Sequence, residues 1–430
     1  MIQARLAAKK AAVLERVVIT GMGAVSPNGI GREAFWAATR QGQSGVRRID
    51  PLLPADLNVR IGGFAANFDP LRHMEERDLA HVGRVVPLAL AAAGEAIADA
   101  GFEPERFSLA QRRDWGVVLG SGGGALAFVE EQFSTYFSGH ERRCSVYTIP
   151  SATPGTLASE ISMRFGLRGC SHLISTGCTS STDALGYARL AIATGRLGHA
   201  LAGGADAPLA PLIIRAFALM KILTTSWSQQ PEKASRPFSA DRDGFVLGEG
   251  AWMFVLESLA NARARGARIY AEIAGYGSTC EAYHRVRLEE SGEEPARAMQ
   301  LALAEAGIEP QRLDYVNLHG TSTVLNDRIE TRALKLALGR QAYRVPASAL
   351  KSLIGHPQGA SGAAGVAASL LAMRDGWLPP TLNLETPDPE CDLDYVPVHG
   401  RAQAVGHALC NCIGFGSKNS ALVLSQLAAA

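Results

Sequence analysis

The chain repeats itself. The tetrapeptide GHAL occurs at residues 198–201 and again at 406–409, each time opening an apolar, strand-like run: GHALAGGADAP (198–208) and GHALCNCIGFG (406–416). Ahead of each copy lies a helical stretch of small residues, one following Cys178 and ending near Gly195, the other GASGAAGVAASLLAMRDG (359–376). A further echo pairs RVVITGMGAVSPNG (16–29) with RIYAEIAGYGSTCE (268–281). Repetition on this scale predicts two related halves, which we place on either side of residue 265. Helices this rich in Gly and Ala let backbones approach closely, so they suit burial between two sheets.

The local patterns name the class of each half. RVVITG (16–21) reads as a buried strand running into a glycine turn, LALAAAGEAIADAG (88–101) as a helix stopped by glycine, and WGVVLGSGGG (115–124) as a second strand and glycine loop. Alternation of this kind predicts an α/β protein with helices covering its sheets. The length of 430 residues accommodates two such halves, and 47% hydrophobic residues supply a large core. A net charge of +1 with mixed signs throughout argues against a nucleic-acid binder or a protein that adheres to anionic membranes. Seven scattered cysteines without framework spacing fit a reducing, cytoplasmic setting. Cys410 and Cys412 resemble half a metal site, but no second pair or histidine cluster completes it, and no metal is expected. At the N-terminus, Glu15 and Arg16 interrupt any signal-like apolar run, so residues 1–16 read as a short extension. No stretch approaches the roughly 20 apolar residues of a membrane span.

Three segments could carry chemistry. In STGCTSSTDALGYARL (175–190), Cys178 stands where a helix begins. A helix start favours negative charge by about 0.3–1 kcal/mol, and up to roughly 2 when partly buried, which would ease ionisation of the thiol. A buried apolar cysteine is the plainer reading. In VNLHGTSTVLNDRIET (316–331), an apolar strand delivers His319 into a turn ahead of a helix carrying Glu330. In LKSLIGHPQGASGAAG (350–365), Lys351 and His356 flank a turn at Gly355. Each segment alone is compatible with a structural role.

Together they are far more specific. Cys178, His319, Lys351 and His356, in this order and these contexts, resemble the elongating β-ketoacyl-acyl-carrier-protein synthases, and RPFSADRDGFVLGEGA (236–251) and IGFGSKN (413–419) extend the likeness across nearly the whole chain. The resemblance implies a thiolase-like, duplicated five-layer αβαβα fold, with a nucleophile-bearing half at 17–265 and a half holding both histidines at 266–430. It implies a decarboxylative condensation in which Cys178 takes the acyl chain and His319 and His356, both as neutral donors, bond the oxygen of the malonyl thioester. It further implies that the backbone N–H groups of Cys178 and Phe415 form an oxyanion hole and that Phe415 gates the site. Lys351 would pair with Glu330 in a supporting role, while Thr321 and Thr323 line the pantetheine tunnel. No cofactor is expected on the enzyme itself, because phosphopantetheine arrives on the acyl carrier protein. A homodimer is implied, or a heterodimer with a non-catalytic chain-length-determining homologue, and the chain being that homologue is the alternative reading.

The likeness also has departures. The flanks of Cys178 look more like ketosynthase subunits of iterative polyketide systems, and Ser417 and Lys418 stand where Gly and Thr are common. Gly123, where many relatives carry bulk, would leave room for a long or bulky acyl chain. The apolar stretch 209–223 is expected to pack the core, with the pocket wall or a dimer contact as alternatives. Arg72, Arg77, Arg112, Arg113, Lys221 and Lys233 are candidates for meeting an acidic carrier protein.

Overall fold

A computed structural model describes residues 14–54 and 56–427, so most of the N-terminal extension lies outside the described residues. Ten strands form the main framework. The first half contributes β1 (Val17–Ser26), β2 (Trp115–Gly120), β3 (Ser171–Ile174), β4 (His199–Asp206) and β5 (Gly250–Ser258). The second contributes β6 (Ala271–Cys280), β7 (Tyr315–Asn317), β8 (Ala347–Ser348), β9 (His407–Gly414) and β10 (Lys418–Ser425). Their spatial order is β8-β7-β9-β10-β6-β1-β5-β4-β2-β3. Numbering outward from the centre, each strand of one half matches the strand five places later in the other. The two copies of GHAL thus begin the equivalent strands β4 and β9. The halves meet where β1 and β6 pair antiparallel through Val18↔Glu272 and Ile19↔Ala271.

Six helices complete the layers: α1 (Val85–Asp99), α2 (Thr156–Phe165), α3 (Ser180–Ala193), α4 (Glu293–Ala306), α5 (Val324–Leu338) and α6 (Ser361–Asp375). The Ala-rich α3 and α6 lie between the sheets, sharing one core with Ile19, Phe254, Ala408 and Leu422. Helices α1 and α2 cover the outer face of the first sheet. On the far side, α4 and α5 do the same for the second. The expected five-layer αβαβα arrangement is therefore present.

The echo ITGMG/IAGYG has a direct steric cause. A Cβ on Gly21 or Gly23 would stand 2.2 or 2.1 Å from the carbonyl oxygens of Ala96 and Ala92 on α1. A Cβ on Gly275 or Gly277 would stand 2.0 or 2.1 Å from those of Ala302 and Ala298 on α4. Both halves seat a helix on bare strand backbone, and only glycine permits that approach. Cys410 and Cys412, two apart on β9, share one face of the strand. Cys410 meets Ser369 Oγ at 3.3 Å, while Cys412 Sγ lies 3.4 Å from His319 Nδ1. No helix among the described residues is long and apolar enough to cross a membrane.

Candidate active site

A cavity of about 440 Å³ opens where the two halves meet, with Cys178 from the first and His319, His356 and Phe415 from the second in its wall. Cys178 occupies a single 3-10 turn, Gly177–Thr179, that leads directly into α3. Gly177 takes φ +68°, a left-handed angle that a glycine adopts without steric cost. The thiol is only 6% exposed. Burial pushes it up to about 11, against the pull of the Lys351 charge and of the backbone N–H groups of Phe415 and Cys178 itself. The ionisation expected from the helix start is thus outweighed: removing water disfavours the thiolate more than these groups favour it.

His319 leaves the end of β7 and enters a tight turn. Its backbone N–H and that of Gly320 each donate to the Glu330 carboxylate at 2.7 Å, and Asn411 Nδ2 donates to the same group at 2.7 Å. Lys351 Nζ donates to the His319 carbonyl oxygen at 2.6 Å and lies 3.3 Å from His319 Nδ1. The expected Lys351–Glu330 pair is corrected by this network. The carboxylate is spent on three N–H donors of the loop, and the ammonium is spent on His319. Each still serves the imidazole, one by fixing its backbone and the other by meeting its ring.

His356 follows Gly355, whose φ of +72° turns the chain back, and its N–H donates to the Val246 carbonyl at 2.7 Å. Its Nδ1 lies 3.0 Å from Ser361 Oγ. The two rings meet edge to face with centroids 5.3 Å apart. Burial pushes both imidazoles well below the ordinary histidine range, and the Lys351 charge adds to the effect, so both are neutral. Cys178 Sγ and one nitrogen of each ring lie within 4.8 Å of one another. Among the described residues this is also the group whose spacing would suit a metal ion, although the Lys351 ammonium sets a like charge beside it.

Thr321 and Thr323 face the same cavity with their hydroxyl oxygens 3.0 Å apart, and Thr323 also caps α5. Gly123 does not line it. Its N–H donates to Asp206, and a Cβ there would meet Leu126 at 2.8 Å, within its own loop. The stretch 209–223 divides between two fates: Ile214 and Leu223 pack a small core, while Met220 and Ile222 form cavity wall.

Several contributors were not legible in the sequence. Cys412 donates to the Cys178 carbonyl oxygen with Sγ at 3.0 Å and lies 3.4 Å from His319 Nδ1. Only alternation along β9 could have suggested it, since its spacing matches no motif. The irregular segment 284–288 supplies His284, Val286, Arg287 and Leu288 to the cavity mouth. The segment RPFSADRDG proves to be a brace. Its buried Arg242 pairs with Asp327 at 3.1 Å and Asp388 at 2.8 Å, holding the start of α5 beneath the His319 turn.

Comparison with known proteins finds relatives over nearly the whole chain. The family model of the β-ketoacyl synthase N-terminal domain matches residues 14–262, and that of the C-terminal domain matches residues 270–385. The chain is 42% identical over 419 residues to a putative polyketide β-ketoacyl synthase 1 of Streptomyces halstedii, covering 95% of this chain and 98% of that one. It is equally 42% identical over 420 residues to the 3-oxoacyl-[acyl-carrier-protein] synthase 2 of Rhizobium meliloti, covering 96% and 99%. Among solved structures, a type II polyketide acyl-carrier protein in complex with its hexaketide-bound ketosynthase includes a chain that superposes with a TM-score of 0.89 at 34% identity, covering 96% and 100%. The ishigamide ketosynthase/chain length factor also superposes at 0.89, with 32% identity and the same coverage.

Proposed function

We propose residue roles from one premise: the chain belongs to the β-ketoacyl synthase family. It is a condensing enzyme that joins a cysteine-bound acyl chain to malonyl-acyl-carrier protein, releasing carbon dioxide and a β-ketoacyl-carrier protein. In our reading, an acyl group arrives on the carrier's phosphopantetheine thiol and moves to Cys178 as a thioester, and the free carrier leaves. Malonyl-carrier protein then enters and loses carbon dioxide. His319 donates to the thioester oxygen on which negative charge develops, with His356 at the same substrate. The resulting carbanion attacks the Cys178 thioester, and the backbone N–H groups of Cys178 and Phe415 hold the oxyanion. That both N–H groups already act on the resting sulfur supports this placement. Lys351 and Glu330 position His319, Thr321 and Thr323 receive the pantetheine amides, and Phe415 gates the second entry. The enzyme carries no cofactor of its own, and the prosthetic arm travels with the carrier.

The observation that carries this reading is the convergence of one sulfur and two imidazoles, distant in the chain, within 4.8 Å in one cavity. A non-catalytic chain-length-determining partner typically lacks the nucleophile, so the intact set favours catalysis. The test supplies acyl- and malonyl-carrier protein: one carbon dioxide and a product two carbons longer per cycle are expected, with loading abolished in Cys178→Ala. Loading that survives in that variant would refute the assignment.

An acidic carrier would meet Lys221, Arg285 and Arg287, exposed on segments that form the cavity mouth. Arg112 leaves the earlier set of candidates, because its guanidinium donates to the Phe107 and Gly166 carbonyl oxygens. We place a dimer contact at β3, whose outer edge ends the sheet. We also retain the division into halves at residue 265.

A further inference from the structure

Cys178, His319 and His356 are also ligand types for a soft divalent cation. The sulfur and one nitrogen of each ring lie within 4.8 Å of one another, and all three residues line the cavity, which gives an ion a way in. Tetrahedral zinc holds sulfur at about 2.3 Å and imidazole nitrogen at about 2.0–2.1 Å, so its ligand atoms stand roughly 3.3–3.6 Å apart. Small rotations of the three side chains, closing the set by at most about 1.5 Å, reach that geometry. The outer nitrogens are already engaged. Ser361 Oγ lies 2.6 Å from the Gln358 carbonyl oxygen, which can only accept its proton, so Oγ accepts from His356 Nδ1–H at 3.0 Å. His356 Nε2 is left with a lone pair. His319 Nδ1 faces Lys351 Nζ at 3.3 Å and Cys412 Sγ at 3.4 Å, which leaves its Nε2 for a ligand. Outer contacts of this kind fix the rings of metal-binding histidines. Two features limit the affinity: the Lys351 ammonium repels a dication, and three protein ligands leave one position open.

We propose that Cys178, His319 and His356 form a binding site for Zn²⁺, which occupies the unacylated enzyme and arrests it reversibly. The inference goes beyond the condensation reading and rests on it only in that metal and acyl chain claim the same sulfur. On binding, the Cys178 S–H bond breaks, its proton leaves to solvent, and a sulfur electron pair forms the Zn–S bond. Each imidazole gives the lone pair of Nε2, and the ring proton of His319 then sits on Nδ1 against Cys412 Sγ. No electron is transferred, and water takes the fourth position. A thioester sulfur has no such charge to offer, so the acylated enzyme excludes the ion, and loading and metal binding compete.

The test uses the full chain without an affinity tag, Co²⁺ as a spectroscopic stand-in and Zn²⁺ as its competitor. Cobalt should bind once per chain, with a thiolate-to-cobalt charge-transfer band in the near ultraviolet and the strong visible bands of a tetrahedral site, and zinc should erase both. Cys178→Ala should abolish the charge-transfer band, and His356→Ala should weaken binding by more than about tenfold, with circular dichroism confirming that each variant folds. Cys412→Ser should keep the band. Blocking the parent itself, by octanoyl loading from a thioester of N-acetylcysteamine followed by intact mass, should prevent cobalt uptake, and zinc added first should suppress loading until a chelator removes it. A charge-transfer band that persists in Cys178→Ala or in the octanoylated parent overturns the proposal, as does a parent that shows no such band. Failure of the metal-free parent to load octanoyl would instead overturn the role of Cys178 as acyl acceptor, with the cobalt spectrum still deciding the metal site.

Discussion

At the end of β4 the first half places Asp206, and at the matching end of β9 the second half places Gly414, followed by Phe415. Asp206 accepts from Ser121 Oγ and from the N–H groups of Gly122, Gly123 and Gly359, all between 2.7 and 3.2 Å. One buried carboxylate thus ties the loop after β2 to the turn that follows His356. The equivalent loop after β7 carries His319, and its bracing acid is Glu330 on a helix. Duplication supplied two copies of one framework. The first copy spends its loops on rigidity and contributes a single sulfur, while the second spends its equivalent loops on imidazoles and a gate. Reactive groups so placed can be altered without disturbing the acid that braces the opposite half.

The largest effect that would sharpen this division comes from His319→Ala. If the second half serves condensation through that ring, decarboxylation should fall about 10²–10³-fold, the usual cost of losing one oxyanion donor. Acyl loading should stay within a few-fold of the parent, which intact mass and carbon dioxide release would measure side by side. Equal losses in both would break the comparison, because the ring would then be supporting the nucleophile.

The paired glycines offer a test of the framework alone. Gly23→Ala and Gly277→Ala place a methyl at 2.1 Å from a helix carbonyl in equivalent positions. Each should destabilise by about 1–3 kcal/mol or slightly more, and by similar amounts, since backbone cannot yield as a side chain does. Denaturant midpoints would show it. Unequal costs would mean that the halves have diverged in packing as well as in chemistry.

These same glycines explain why the fold was legible. ITGMG and IAGYG survive as echoes because close strand–helix contact leaves few alternatives at those positions, and each GHAL glycine sits against an aspartate that accepts from its N–H, Asp114 in one half and Asp314 in the other. The nucleophile and both histidines were legible through the motifs that surround them. Their partners were not. Nothing in DRIET indicates that Glu330 turns toward backbone N–H groups in preference to Lys351, since both are ordinary ways to satisfy a buried carboxylate. Cys412 reads as core on an apolar strand, and only the pairing of β9 with β7 brings it to His319. The residues 281–288 have no periodicity to read, and Gly123 depended on a loop whose direction is set by Asp206.

A pH comparison separates buried Asp206 of the first half from the two buried imidazoles of the second by sign. Burial pushes Asp206 up to about 6, so the folded chain binds its proton before the unfolded one does, and that term gains stability as pH falls from about 6 toward 4. His319 and His356 are held well below their ordinary range, so their contribution is complete above about 6.5 and is lost on acidification, as the unfolded chain takes up protons that the folded chain refuses. Replacing one ring by His356→Gln should remove about 1.4 kcal/mol per pH unit of that acid sensitivity below pH 6.5. Urea unfolding of parent and variant at two pH values reads the difference directly, with other groups cancelling. A parallel pair of pH profiles would mean that His356 titrates in the folded protein.

Ser417 carries the smallest expected change in stability and the most specific change in behaviour. It sits at φ +64°, an angle that costs a non-glycine residue roughly 1–2 kcal/mol. Against that strain, its hydroxyl accepts from the N–H groups of Tyr283 and His284 at 3.2 Å each and donates to the His284 carbonyl at 3.1 Å. These bonds join the Phe415 loop to the segment whose Val286 and Leu288 wall the cavity. Ser417→Gly removes strain and bonds together, so net stability should move by no more than about 1 kcal/mol. The loop, however, loses its tie to the wall, and the KM for malonyl-carrier protein should shift while octanoyl loading does not. Asp206 of the first half predicts the contrast: Asp206→Asn should cost stability in full, since an amide oxygen cannot accept from four donors, and leave no selective effect on malonyl entry. If Ser417→Gly proved as destabilising as Asp206→Asn, the second half's loop would be a brace of the same kind, and the distinction between a rigid copy and a working copy would fail.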